Sequence, residues 1–100
     1  MGLLRWLLGI KPITFEGGSG ETPETAVIIR GARGGFRGVP AEYRYLTQRF
    51  GQRGADWQLV EQRLLHAEGG KHYDHFRLVL KDGREVEVYI DISEFYGRVF

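Results

Sequence analysis

Cysteine is absent from this chain of 100 residues. Its absence excludes a disulfide scaffold, thiolate metal sites, a cysteine nucleophile and thiol redox switching. An excess of one charge is also missing: 14 Lys and Arg stand against 13 Asp and Glu, a net charge of +1. Bulk charge therefore points neither to nucleic acid nor to an acidic partner. No apolar run reaches the roughly 18 residues that a helical membrane span needs. Nucleophiles are scarce. The serines are Ser19 and Ser93, and neither lies in a Gly-x-Ser-x-Gly elbow. What remains is an ordinary globular mixture, 42% hydrophobic and 27% charged, long enough for one domain with a modest core.

The near-neutral balance hides an asymmetry. Residues 1–53 carry a net charge of +4 and residues 54–100 a net charge of −3. Such a chain either presents a basic patch or pairs its two halves internally. Residues 1–10, MGLLRWLLGI, form an apolar arm broken by Arg5, with no cleavage site of a secretory signal. An arm this apolar is expected to dock on the core or on a partner. Residues 16–24, EGGSGETPE, read as a loop or linker. The expected organisation is an arm and Gly-rich linker at 1–24 and a single domain at 25–100.

Within that domain Ala26-Val27-Ile28-Ile29 has the β-branched content of a buried strand. RGARGGFRG at 30–38 has four glycines in nine residues and reads as a loop. Pro40 suits a first helical turn. Val39, Tyr43, Leu46 and Phe50 share one helical face, and Gly51 ends the run, so a helix is expected over 40–50. Glu42, Tyr45 and Arg49 then point away from that face. The second half reads as a meander over 57–66, 72–80 and 84–91. Leu80-Lys81-Asp82-Gly83-Arg84 fits a type I turn closed by a bulge at Gly83. That turn sets Leu78 opposite Val86, Phe76 opposite Val88 and Arg77 opposite Glu87, and it keeps one face apolar. A similar first hairpin brings Glu61 to Arg77 and His66 to His72. Asp91 and Glu94 have capping-box spacing ahead of a short terminal helical turn. The expected fold is a two-layer α+β domain: one amphipathic helix on an antiparallel sheet, in the order β-α-β-β-β plus that turn.

The strings TAVIIRGA, PAEYRYLTQRFG and HYDHFRLVLKDGREVEVYIDISEFYG resemble a family of small bacterial proteins of unknown function, across residues 20–98. The resemblance implies a single bacterial domain and no particular activity.

Three groups of residues invite chemistry. His66, His72 and Asp74 can share a strand face, but no second ligand pair has a recognised metal spacing, so neither a metal nor a cofactor is expected. Asp74 and Asp91 project to opposite faces and do not converge as a glycosidase pair must. The 30–38 loop lacks the Gly-Lys-Ser/Thr ending of a P-loop and the Gly-x-Gly-x-x-Gly fingerprint. It does interleave Arg30, Arg33 and Arg37 with Phe36, and Arg44 and Arg49 follow on the helix. Arg and aromatic side chains on a glycine backbone suit RNA or another polyanion. No catalytic constellation emerges. The expectation is a non-enzymatic, cytoplasmic interaction module with a protein partner or a second copy, and RNA or polyanion binding as its alternative.

Overall fold

The computed structural model describes residues 11–99; the apolar arm at 1–10 lies outside the described residues. Five strands form one mixed sheet: β1 Thr14–Gly17, β2 Val27–Arg30, β3 Trp57–Ala67, β4 Lys71–Leu80 and β5 Glu85–Asp91. Among the described residues one α-helix, α1 Gly35–Phe50, packs across one face. The strand order is β1-β2-β5-β4-β3. No helix among the described residues is long and apolar enough to cross a membrane.

The α+β class holds, but the sheet is not all antiparallel. β2 and β5 are parallel, with Val27 beside Ile90 and Ile28 beside Asp91. The reason lies in the connection. A helical crossover joins strands that run the same way, so α1 sets β3 parallel to β2 at the far edge. The meander then works back inward until β5 meets β2. β1 is an additional strand, antiparallel to β2, inside the segment read as arm and linker. The glycines after it make a tight return: Gly17 and Gly20 both have positive φ. Thr22 and Thr25 cap a single 3-10 turn at Pro23–Thr25 reciprocally. The Gly20 carbonyl accepts the Tyr89 N–H at 2.7 Å, so this loop flanks β5 ahead of its pairing with β2.

The meander follows its turn chemistry. Leu78 pairs with Val86, Phe76 with Val88 and Arg77 with Glu87. The Leu80 N–H donates to Arg84 at 2.8 Å, and Gly83 takes positive φ. In the first hairpin Glu61 pairs with Arg77 and His66 with His72, with a bulge between Leu59 and Glu61. The outer-face charge ladder differs in one rung. Arg77 reaches Glu61 and Glu85, at 3.6 and 3.0 Å. Glu87 instead takes His75 Nε2 at 2.7 Å, where the His75 ring stacks on Tyr89.

The helix begins five residues earlier than expected, within the glycine-rich stretch. Two of its first N–H groups are satisfied from a distance. Gly35 donates to the Arg98 carbonyl and Phe36 to the Val99 carbonyl, at 2.8 and 2.9 Å, supplying partners that a helix N-terminus lacks. Its buried face is also rotated: Gly38, Ala41, Glu42 and Leu46 are buried, while Val39 is exposed. Gly38 is the reason. A β-carbon there would lie 2.5 Å from the Phe95 ring, so the bare backbone lets the C-terminal segment press against α1. That segment is a hydrogen-bonded turn, not a capped helix. Phe95 and Tyr96 N–H groups donate to the Ile92 carbonyl. Asp91 caps the Ser93 N–H at 2.9 Å. Glu94, expected in the capping box, reaches the Gly31 N–H at 2.7 Å and Arg30 at 3.3 Å.

This contact yields a signed test. In an exposed helix Gly→Ala stabilises by up to about 1 kcal/mol. Gly38→Ala is expected to destabilise by about 1–3 kcal/mol through overpacking, read by urea unfolding. Adding Phe95→Leu is expected to recover part of that loss relative to Phe95→Leu alone.

Candidate functional site

The residues expected to grip a polyanion are dispersed and largely engaged within the fold. Arg30 pairs with Glu16 at 3.6 Å and Glu94 at 3.3 Å. Arg37 donates to the Gly31 carbonyl at 3.3 Å and to the Lys11 carbonyl at 3.1 Å. Arg49 bonds the Ser19 carbonyl and the Tyr45 hydroxyl, and pairs with Glu21. Arg44 lies over the Phe15 ring at 5.5 Å. Arg33 and Phe36 are exposed. The arginines act mostly as clamps that tie α1 and the 30–38 segment to β1 and its loop.

The histidines separate as their strand parity requires. His66 and His72 meet across the first hairpin with their Nδ1 atoms 2.7 Å apart, so one ring donates and the other accepts. Tyr96 stacks on His72 at 4.1 Å between centroids. Asp74 is on the same face but turns toward α1. Among the described residues, no group of three His, Cys, Asp or Glu side chains is placed to hold a metal ion. Ser93 is occupied structurally: its hydroxyl accepts the His72 N–H at 2.9 Å. His75 is buried on the opposite face, 4% exposed.

The feature that sequence reading missed is Glu42. It is 1% exposed and sits on the sheet-facing side of α1, where the rotation imposed by Gly38 carries it under the sheet. No hydrogen-bond partner reaches its Oε1. Burial, then hydrogen bonding and repulsion from the neighbouring Asp74 carboxylate, push its pKa up to about 10. At neutral pH Glu42 therefore keeps its proton, with the Asp74 carboxyl beside it. Burial also raises the pKa of Tyr43, against the lowering effect of Arg53. The Tyr43 hydroxyl donates to Gln62 at 2.8 Å beside the pair.

The pair lines an open cavity of about 230 Å³ at the junction of α1, β3, β4 and the C-terminal turn. Val39, Leu64, Phe95 and Tyr96 provide apolar walls, and Arg98 stands at the rim. A larger depression of about 530 Å³ lies between Phe50, Asp56, Leu80, Lys81, Asp82 and Arg84. Its acids are already used, Asp56 by the Gln52 N–H and Asp82 by Arg84, and among the described residues none of its lining side chains has a buried polar atom without a partner. The smaller cavity is the one with chemistry. The sequence signal that could have found it is an acid within an amphipathic helix at i+4 from a glycine and i−4 from a core leucine.

No family, curated protein or solved structure compared with the chain matches it.

Glu42 makes the fold sensitive to alkali. A group whose folded pKa is raised stabilises most below its unfolded value, 4.5, and that contribution falls as pH rises toward about 10. The decline is expected to approach about 1.4 kcal/mol per pH unit at most. Glu42→Gln, which keeps a neutral donor toward Asp74, is expected to flatten the profile between pH 5 and 8. Urea unfolding across that range checks it.

Proposed function

We propose that the protein is a non-enzymatic interaction module that joins a second copy of itself through the free edge of β3. One observation carries this reading. β3 is the longest strand, with 11 residues, and it forms the outer edge of the sheet beside β4. Its first residue meets an isolated bridge from Arg53; beyond it, no strand pairs on the outer side among the described residues. Unpaired strand edges are templates for another strand.

The pattern along this edge is self-complementary. Antiparallel pairing about Gln62 sets Glu61 opposite Arg63 of the second copy, and Arg63 opposite its Glu61. The same register sets Val60 opposite Leu64, and these two are 46% and 42% exposed. Opposite charges and apolar pairs across strands each contribute about 0.2–1 kcal/mol, and the two-fold axis doubles each of them. The bulge next to Val60 limits the edge, which favours a closed pair over an open fibre. The structural use of Ser93 supports the non-enzymatic part of the reading, and a cytoplasmic setting accords with the lack of cysteine. RNA or polyanion binding by the 30–38 segment has less support, because Arg30, Arg37 and Arg49 already donate within the fold.

Light scattering after size exclusion tests the pairing. The wild type is expected to dimerise as concentration rises. Arg63→Glu, which sets like charges opposite each other twice, is expected to weaken dimerisation by about tenfold or more. Glu61→Arg combined with Arg63→Glu is expected to restore it. A wild type that stays monomeric throughout ends the reading.

A further inference from the structure

We propose that the cavity floored by Glu42 and Asp74 is a binding site for a primary ammonium group carried on an apolar body. Four observations converge on that class of ligand. Glu42 is buried and lines the cavity, and its Oε1 lacks a hydrogen-bond partner. A buried acceptor without a donor is a standing cost that a donating ligand removes. Asp74 beside it adds a negative charge, which an anion or a neutral acceptor cannot satisfy. The walls are apolar and aromatic, from Val39, Leu64, Phe95 and Tyr96. Such a wall takes the body of the ligand, and a ring face attracts a cation. The volume, about 230 Å³, admits only a small ligand or one long side chain.

The protonation pattern divides the work between the two acids. Burial and hydrogen bonding with Asp74 keep the proton on Glu42, and its Oε1 is left without a partner. Asp74 supplies the charge. An ammonium group can then donate one N–H to Glu42 Oε1 and another to the Asp74 carboxylate. Charge-assisted bonds of this kind are about twice as strong as neutral ones. The other polar groups facing the pair do not compete for this role. Tyr43 is committed to Gln62. Arg98 at the rim is exposed and forms no ion pair with either acid among the described residues. Arg98 opposes a cation by simple repulsion, so its removal strengthens binding. His66 and His72 satisfy each other just beyond Tyr96.

Two sources carry this chemistry: a free amine, or the lysine side chain of a protein. Amide-resolved NMR titration of the full chain separates them. Benzylamine is the free-amine probe, Nα-acetyl-lysine amide the side-chain probe, and benzyl alcohol the uncharged control. The expected result is saturable shifts at Val39, Leu64, Phe95 and Tyr96 with at least one amine, bound about tenfold or more tighter than the alcohol. The tighter of the two amines identifies the source. Glu42→Gln, which reproduces the protonated acid, is expected to stay within about threefold of the wild type, whereas Asp74→Asn loses about tenfold or more. Equal binding of benzylamine and benzyl alcohol, or shifts elsewhere only, overturns the proposal on the wild type alone, with no variant required to fold. The titration runs equally well on the Arg63→Glu chain, so failure of β3 pairing leaves it intact.

Discussion

The close approach of α1 to the C-terminal turn governs this end of the molecule. It rests on the missing side chain at Gly38, into which the Phe95 ring presses. Once that contact is made, the helix is held at a fixed rotation. The turn's following residues come within reach of the helix N-terminus, and the Arg98 and Val99 carbonyls take up its free N–H groups. One turn further along, the same rotation carries Glu42 beneath the sheet and opposite Asp74. The helix start, the seating of the chain end and the acid pair are consequences of one packing contact.

Burying an acid in this way is costly, and the fold does not require it. Moving a carboxyl out of water is tolerable only if it stays protonated or gains partners. Glu42 stays protonated, and Asp74 is the partner it gains. A leucine at position 42 would pack against Leu64 and Phe95 without any such cost. Large pKa displacements in a cleft are a recurrent mark of sites that bind or react. The His75–Glu87 contact on the opposite face offers a contrast. There the imidazole stacks on Tyr89 and its Nε2 meets a half-exposed carboxylate, although among the described residues its Nδ1 is buried without a partner, as Glu42 Oε1 is. The difference is that the Glu42–Asp74 pair lines a cavity.

The legible and illegible parts of this fold divide by the range of the interaction. The second hairpin is readable because Asp82-Gly83 dictates a turn and strand alternation then sets every pair up to Asp74 and Ile90. The two histidines meet for the same local reason. β1 is hidden because Thr14-Phe15-Glu16-Gly17 offers a single apolar residue and only pairing with β2 makes it a strand. The parallel seam between β2 and β5 depends on where a whole meander returns, which no local pattern encodes. The helix start is obscured because glycine has two uses. In 30–38 four glycines suggest freedom, whereas Gly38 is there for close approach inside a regular helix. Assigning the helix face from Val39, Tyr43 and Phe50 then turns Glu42 outward. The largest side chains mark a buried face only when no smaller residue allows a closer contact, and here Gly38 and Ala41 allow one.

The charge asymmetry of the chain finds its explanation in the same geometry. The excess arginines of the first half do not assemble into one basic field. Arg30 is drawn to Glu94, and Arg49 to Glu21, so ion pairs and carbonyl contacts consume the charge element by element. The negative excess of the second half is less evenly spent. On the outer face it is matched by Arg77 and Lys71, the latter 3.3 Å from Asp91. On the inner face Asp74 lies beside the protonated Glu42 and lines the cavity. β3 separates the two proposed sites by strand parity. Glu61 and Arg63 stand on the outer face, while Leu64 and Gln62 stand on the helix side with the acid pair. Leu64 serves both the pairing edge and the cavity wall, so the edge is probed apart from the cavity at Arg63, and the cavity apart from the edge at Asp74.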